Sequence, residues 1–127
     1  MTIATALLAT LFCLGAAAQN DASTVFACNL KAIGAADRPR YNELVMRLRE
    51  ALQCRTEISD GYAFKVDSKV ITLPEAAEWI GMERLCCPFL TLQLSASGKQ
   101  TYWVLTLTGP TGVKPLLDAE FPTRIKD

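Results

Sequence analysis

Residues 72–107 read TLPEAAEWIGMERLCCPFLTLQLSASGKQTYWVLTL, and this stretch decides the fold. Thr72-Leu73-Pro74-Glu75 has the form of a capping box, with Thr72 as N-cap and Glu75 three positions on. The helix it opens is expected to bury Ala76, Ala77 and Ile80. It ends at Cys86-Cys87, because Pro88 disfavours helical backbone in the residue before it. Leu90, Leu92 and Leu94 then alternate with polar neighbours. Ser97-Gly98-Lys99 turns the chain, and Trp103, Leu105 and Leu107 alternate on the way back. A period of two on both arms predicts a hairpin with one apolar face.

The flanks extend the pattern. Gly109-Pro110-Thr111-Gly112 breaks the last strand, and a closing helix carries Val113, Leu116 and Leu117. Upstream, Asp60-Gly61 is a hairpin signal between Arg55–Ser59 and Tyr62–Val66. Before that, Asp37 precedes Arg38-Pro39 as cap and first turn of a helix. Tyr41, Leu44, Val45, Leu48, Ala51 and Leu52 recur at helical spacing, so this helix runs to about Gln53. The apolar run Thr24–Leu30 reads as a strand. The order β-α-β-β-α-β-β-α, with hairpins and one-sided helices, predicts an α+β fold. Its form is a two-layer sandwich, an antiparallel sheet with helices on one face.

Composition narrows the chemistry. The 127 residues hold 13 basic and 13 acidic side chains, five cysteines and no histidine. Without histidine there is no Ser-His-Asp triad, Cys-His pair or imidazole metal site. Zero net charge argues against a nucleic-acid partner. Arg38, Arg40, Arg47 and Arg49 alternate with Glu43 and Glu50, which is a solvated mixed face.

Residues 1–18 carry no charged side chain and end Ala16-Ala17-Ala18. The segment reads as a signal peptide, too short for a comfortable membrane span of about 20 residues. A single domain over 19–127, with its core over 24–121, is then expected in the periplasm or outside the cell, with no stable membrane span.

Cysteine is the remaining source of chemistry. Cys86 and Cys87 adjoin Glu83, which is one helical turn before Cys87. Arg84 beside them favours a thiolate, while Glu83 and the helix C-terminus oppose it, so no strongly activated thiolate is expected. Cys28 adds a third sulfur if its strand lies beside this helix end. The competing reading is structural: core cysteines, or bridges from Cys28 or Cys54 to one of the pair. Cys54, at a helix end, looks the most structural.

Ala27-Cys28-Asn29-Leu30, Asp60-Gly61-Tyr62-Ala63-Phe64, Glu83-Arg84-Leu85-Cys86-Cys87-Pro88-Phe89 and Leu107-Thr108-Gly109-Pro110 together resemble a family of small bacterial Cys-Cys-Pro-Phe domains. Similar domains are appended to MerR-type heavy-metal-responsive regulators. The resemblance runs from Phe26 to Phe121. The apparent leader and Cys54 are departures from the pattern. It implies a three-sulfur site of Cys28, Cys86 and Cys87, with Glu83 or water as a fourth ligand. Such a site suits a soft metal or metalloid ion resembling mercury or arsenite, or zinc. Two alternatives accompany it. One is an exported structural domain held by disulfides. The other is an enzyme acting on organometal or thiol substrates through Cys86, Cys87 and Glu83.

Overall fold

The computed structural model describes residues 26–122. The export reading of residues 1–18 lies outside them. Three helices, α1 (Arg38–Ala51), α2 (Leu73–Cys86) and α3 (Lys114–Glu120), accompany four strands. The strands are β1 (Leu52–Ile58), β2 (Gly61–Asp67), β3 (Thr91–Ser95) and β4 (Tyr102–Thr108). They form one antiparallel sheet in the order β1-β2-β4-β3. Each hairpin therefore contributes one central and one edge strand. The connection through α2 carries the chain past β4 to the far edge.

The α+β class and the expected order of elements agree with this architecture. Only the opening segment takes a different form. Asn29 is extended and its N–H bonds to Cys86 O at 2.9 Å, after which a 3-10 turn spans Leu30–Ala32. The described part of the predicted strand, from Phe26 on, thus runs against the end of α2 instead of entering the sheet.

Burial follows the pleat. Tyr62, Phe64 and Val66 on β2, and Trp103, Leu105 and Leu107 on β4, are buried. The opposite face carries the cross-strand row Thr56, Ala63, Thr106 and Gln93, polar in all but the small Ala63. A sheet wet on one face shows this alternation. Leu92 and Leu94 are only half-buried, because β3 is an edge strand.

The helices cover the inner face. Tyr41, Leu44, Val45, Leu48 and Ala51 of α1 are buried, as their spacing predicts. The helix stops at Ala51 and Leu52 already belongs to β1, so its end falls two residues earlier than expected. Asp37 is the N-cap residue but makes no side-chain capping bond. The Thr72 box forms fully: Glu75 N–H bonds to Thr72 Oγ1 at 3.3 Å and Thr72 N–H to Glu75 Oε2 at 2.9 Å. Arg47 also meets Glu75 at 2.6 Å, and Arg40 grips Glu78 through two nitrogens at 2.9 and 2.8 Å. These pairs tie α1 to α2.

Gly61 has a reason other than turn conformation. Its φ is not positive, and Ile58 pairs with it across the two-residue loop Ser59-Asp60. A Cβ there would collide with the Leu107 carbonyl, so glycine permits close approach of β2 to β4.

Candidate thiol and metal centre

Helix α2 turns one stripe inward, made of Ala76, Trp79, Glu83 and Cys86. The steps of three, four and three keep these residues on one helical face. Ala77, expected in the core, is exposed, and Ile80 is half-buried. Aliphatic spacing favours Ala77 and Ile80, whereas the inward stripe is centred on Trp79 and Glu83. Glu83 is 2% exposed and is the single buried charged residue among those described.

A carboxyl in that position costs several kcal/mol unless it is bonded or neutral. Tyr41, from α1, supplies the bond: its hydroxyl donates to Glu83 Oε2 at 2.6 Å. No ion pair among the described residues includes Glu83. Burial raises its pKa, and the Tyr41 hydrogen bond opposes that shift. Tyr41 itself is raised far above the usual phenol range, first by burial and then by the bond to Glu83 and its charge.

Cys86 lies beside them. Its Sγ is 3.7 Å from Glu83 Oε2, 3.8 Å from Tyr41 Oη, 3.5 Å from Glu83 O and 3.7 Å from Cys87 Sγ. Burial, then the neighbouring Glu83, pushes its pKa up to about 11. The thiol is thus held protonated at neutral pH, in line with the expectation that the pair is not strongly activated. Arg84 is exposed on another face of α2.

Cys87 ends the helix. Its N–H still bonds to Glu83 O at 2.8 Å, but its backbone has left the helical region. This change of direction brings it to Cys28. The two form a disulfide, with Cα atoms 4.8 Å apart. Cys28 is also held on both sides by non-covalent contacts. Phe26 stacks on Phe89 with centroids 4.8 Å apart, and Asn29 N–H reaches Cys86 O.

All four expected site residues therefore converge. One ligand atom from each of Cys28, Glu83, Cys86 and Cys87 lies within 4.8 Å of the others. The sequence had paired Glu83 with Cys87 on one face, whereas its carboxyl approaches Cys86 instead. Cys54 does not join them. It is a free, exposed thiol on the edge strand β1, contrary to the structural role expected of it. Tyr41 is the functional neighbour the sequence did not single out. Its helical spacing marked it as core, and nothing local linked it to a carboxyl 42 residues away.

Fold and site together define a small α+β domain with a cluster of three sulfurs and one carboxyl, buried except at Cys28, where the incoming chain crosses a helix end. No protein-family model, curated protein or solved structure matches the chain. No helix of the described residues is long and apolar enough to cross a membrane.

Proposed function

We propose that the reduced protein binds one soft metal or metalloid ion through Cys28, Cys86 and Cys87. The observation that carries this reading is the convergence of the three sulfurs with a buried carboxyl, all within 4.8 Å. Two sulfurs bound tetrahedrally to one ion at about 2.3 Å lie about 3.8 Å apart. Cys86 and Cys87 are already 3.7 Å apart.

Electrostatics favours an ion whose thiolate complex is neutral. Glu83, Cys86 and Cys87 are buried and Glu83 has no basic partner among the described residues, so a complex with net charge would be costly there. Arsenite meets this condition. As(OH)3 and three thiols give three As–S bonds and release three waters, with no change in charge. Mercuric ion meets it with two cysteines, whose thiols each release one proton to bind as thiolates. Binding removes the proton that burial holds on Cys86, since the ligand is the thiolate. Glu83 with Tyr41 then lines the site as a hydrogen-bonded carboxyl.

We further take the apolar segment over residues 1–18 as an export signal, which puts the domain in the periplasm or outside the cell. A Cys28–Cys87 disulfide suits an oxidising compartment.

A structural reading is favoured by one observation, the complete burial of Cys87 within its disulfide. Titration separates the two. Reduced protein, freed of reductant, is titrated with arsenite and with mercuric chloride. Stoichiometric binding that is lost in Cys86→Ser/Cys87→Ser, with the far-UV circular dichroism unchanged, supports the ion site. Equal binding by the double variant leaves only the structural role.

A further inference from the structure

We propose that the Cys28–Cys87 bond is a redox gate on this site, opened by an external dithiol that attacks Cys28. The gating half rests on the ion-binding reading above; the point of attack does not.

The disulfide form is short of donors. In the disulfide form neither Cys28 nor Cys87 is a thiolate. Only Cys86 and Glu83 then remain, which is too few donors for a three-sulfur site. Reduction restores two sulfurs at once.

The two bridged sulfurs also differ in access. Cys86 and Cys87 are 1% and 0% exposed, whereas Cys28 is half-buried. Cys28 also borders an open groove of about 650 Å³, whose walls include Phe26, Tyr41, Val45 and Met46. Thiol–disulfide exchange requires the attacking sulfur to reach the sulfur it bonds. The groove provides that reach to Cys28, and burial withholds it from Cys87.

Cys28 also has non-covalent anchors. The Phe26–Phe89 stack and the Asn29 N–H to Cys86 O bond flank Cys28 and do not depend on the disulfide. Ile33, 1% exposed, anchors the segment beyond the 3-10 turn. Cys28 therefore stays docked after reduction, near enough to serve as a ligand.

The step balances. One thiolate of the dithiol bonds to Cys28 Sγ, and the Cys28–Cys87 bond breaks. Its electron pair leaves on Cys87 Sγ, which takes up a proton. The second thiol, as thiolate, attacks the mixed disulfide and closes the reagent into its own disulfide, and Cys28 leaves as thiolate and is protonated. The dithiol loses two electrons and the two cysteines gain them.

The test uses Cys54→Ser, which removes the exposed free thiol. Oxidised protein is treated briefly with the monothiol 2-mercaptoethanol, quenched with acid and mapped by peptide mass. The mixed disulfide is expected on Cys28; an adduct mainly on Cys87, or equally on both, overturns the assignment of attack. Arsenite is then titrated into oxidised and reduced forms, with circular dichroism recorded for each. Losing even an outer-shell partner costs metal sites about 10–100-fold in affinity, so the oxidised form is expected to bind at least that much more weakly. Equal binding by both forms overturns the gate and the three-sulfur ligand set together, since the oxidised form lacks two of the sulfurs; an adduct away from Cys28 with tight binding by the reduced form alone overturns the point of attack and leaves the ion reading standing. Binding by neither form overturns the gate and the ion reading. An unfolded reduced form overturns the proposal too, since it needs Cys28 docked.

Discussion

The Tyr41 hydroxyl lies 2.6 Å from Glu83 Oε2, joining α1 to the end of α2 inside the core. It is the closest polar partner of a carboxyl that no basic side chain neutralises. Removing one partner so that a buried acceptor is left unsatisfied costs about 1–3 kcal/mol. Tyr41→Phe should therefore lower unfolding free energy by about that amount. Urea denaturation measures it; a change below a few tenths of a kcal/mol would mean that the bond contributes little to the fold.

The sulfurs differ sharply in exposure, and their labelling should follow. Cys54 is exposed, while Cys86 is buried with its thiol pushed up to about 11. Among Cys28, Cys54, Cys86 and Cys87, iodoacetamide at pH 8 should modify Cys54 alone in the oxidised native protein. Cys86 should react after denaturation, and Cys28 and Cys87 only once reductant is added. Rapid native labelling of Cys86, read by peptide mass, would contradict its burial.

The disulfide spans a sequence separation of 59. Cross-linking a loop of that length stabilises by about 4 kcal/mol in the chain-entropy account, with typical measured values of about 2–4 kcal/mol. Reduction should lower the stability by that order and leave the sheet folded, because the β2–β4 ladder pairs Gly61–Asp67 with Tyr102–Thr108 and includes neither cysteine of the bond. Loss of all sheet signal on mild reduction would show that the bond holds the whole domain together.

Core position sets the cost of truncation. Leu105 on central β4 is fully buried, while Leu94 on edge strand β3 is half-buried. Leu105→Ala should cost about 2–5 kcal/mol, and Leu94→Ala distinctly less. The sequence put both leucines on one buried face, and alternation does place them there. It does not say which strand is central. That depends on the hairpins meeting through β2 and β4, a non-local pairing with no local sequence signal.

The same distinction applies across the chain. The Thr72–Glu75 box and the α1 stripe were legible because caps and helical spacing are local. The site residues Cys28, Glu83, Cys86 and Cys87 were legible as residue types. Which cysteine bridges to Cys28 was not, because it turns on how the backbone leaves α2 at Cys87. Tyr41 was missed for a similar reason: its partner becomes a neighbour only when α1 packs on α2. Gly61 was read as a turn residue, and its actual constraint is the carbonyl of Leu107 on another strand.

Acid should weaken the cap of α2. The Thr72 backbone N–H, followed by Arg47, holds the Glu75 carboxyl down to about 2 from an ordinary value of 4.5. Its contribution to stability is present above the unfolded pKa. As pH falls from 4.5 to about 2 the unfolded chain takes up the proton first, and that contribution is lost. Glu75→Gln should flatten this part of the stability profile relative to the unsubstituted chain. An identical acid slope in both proteins would remove Glu75 as its source.

The most direct test of the three-sulfur site is X-ray absorption at the arsenic edge, on reduced protein carrying one equivalent of arsenite. The account predicts three sulfur neighbours and no remaining oxygen in the first shell, with sulfur lost in Cys86→Ser/Cys87→Ser. A first shell still made of oxygen would contradict it.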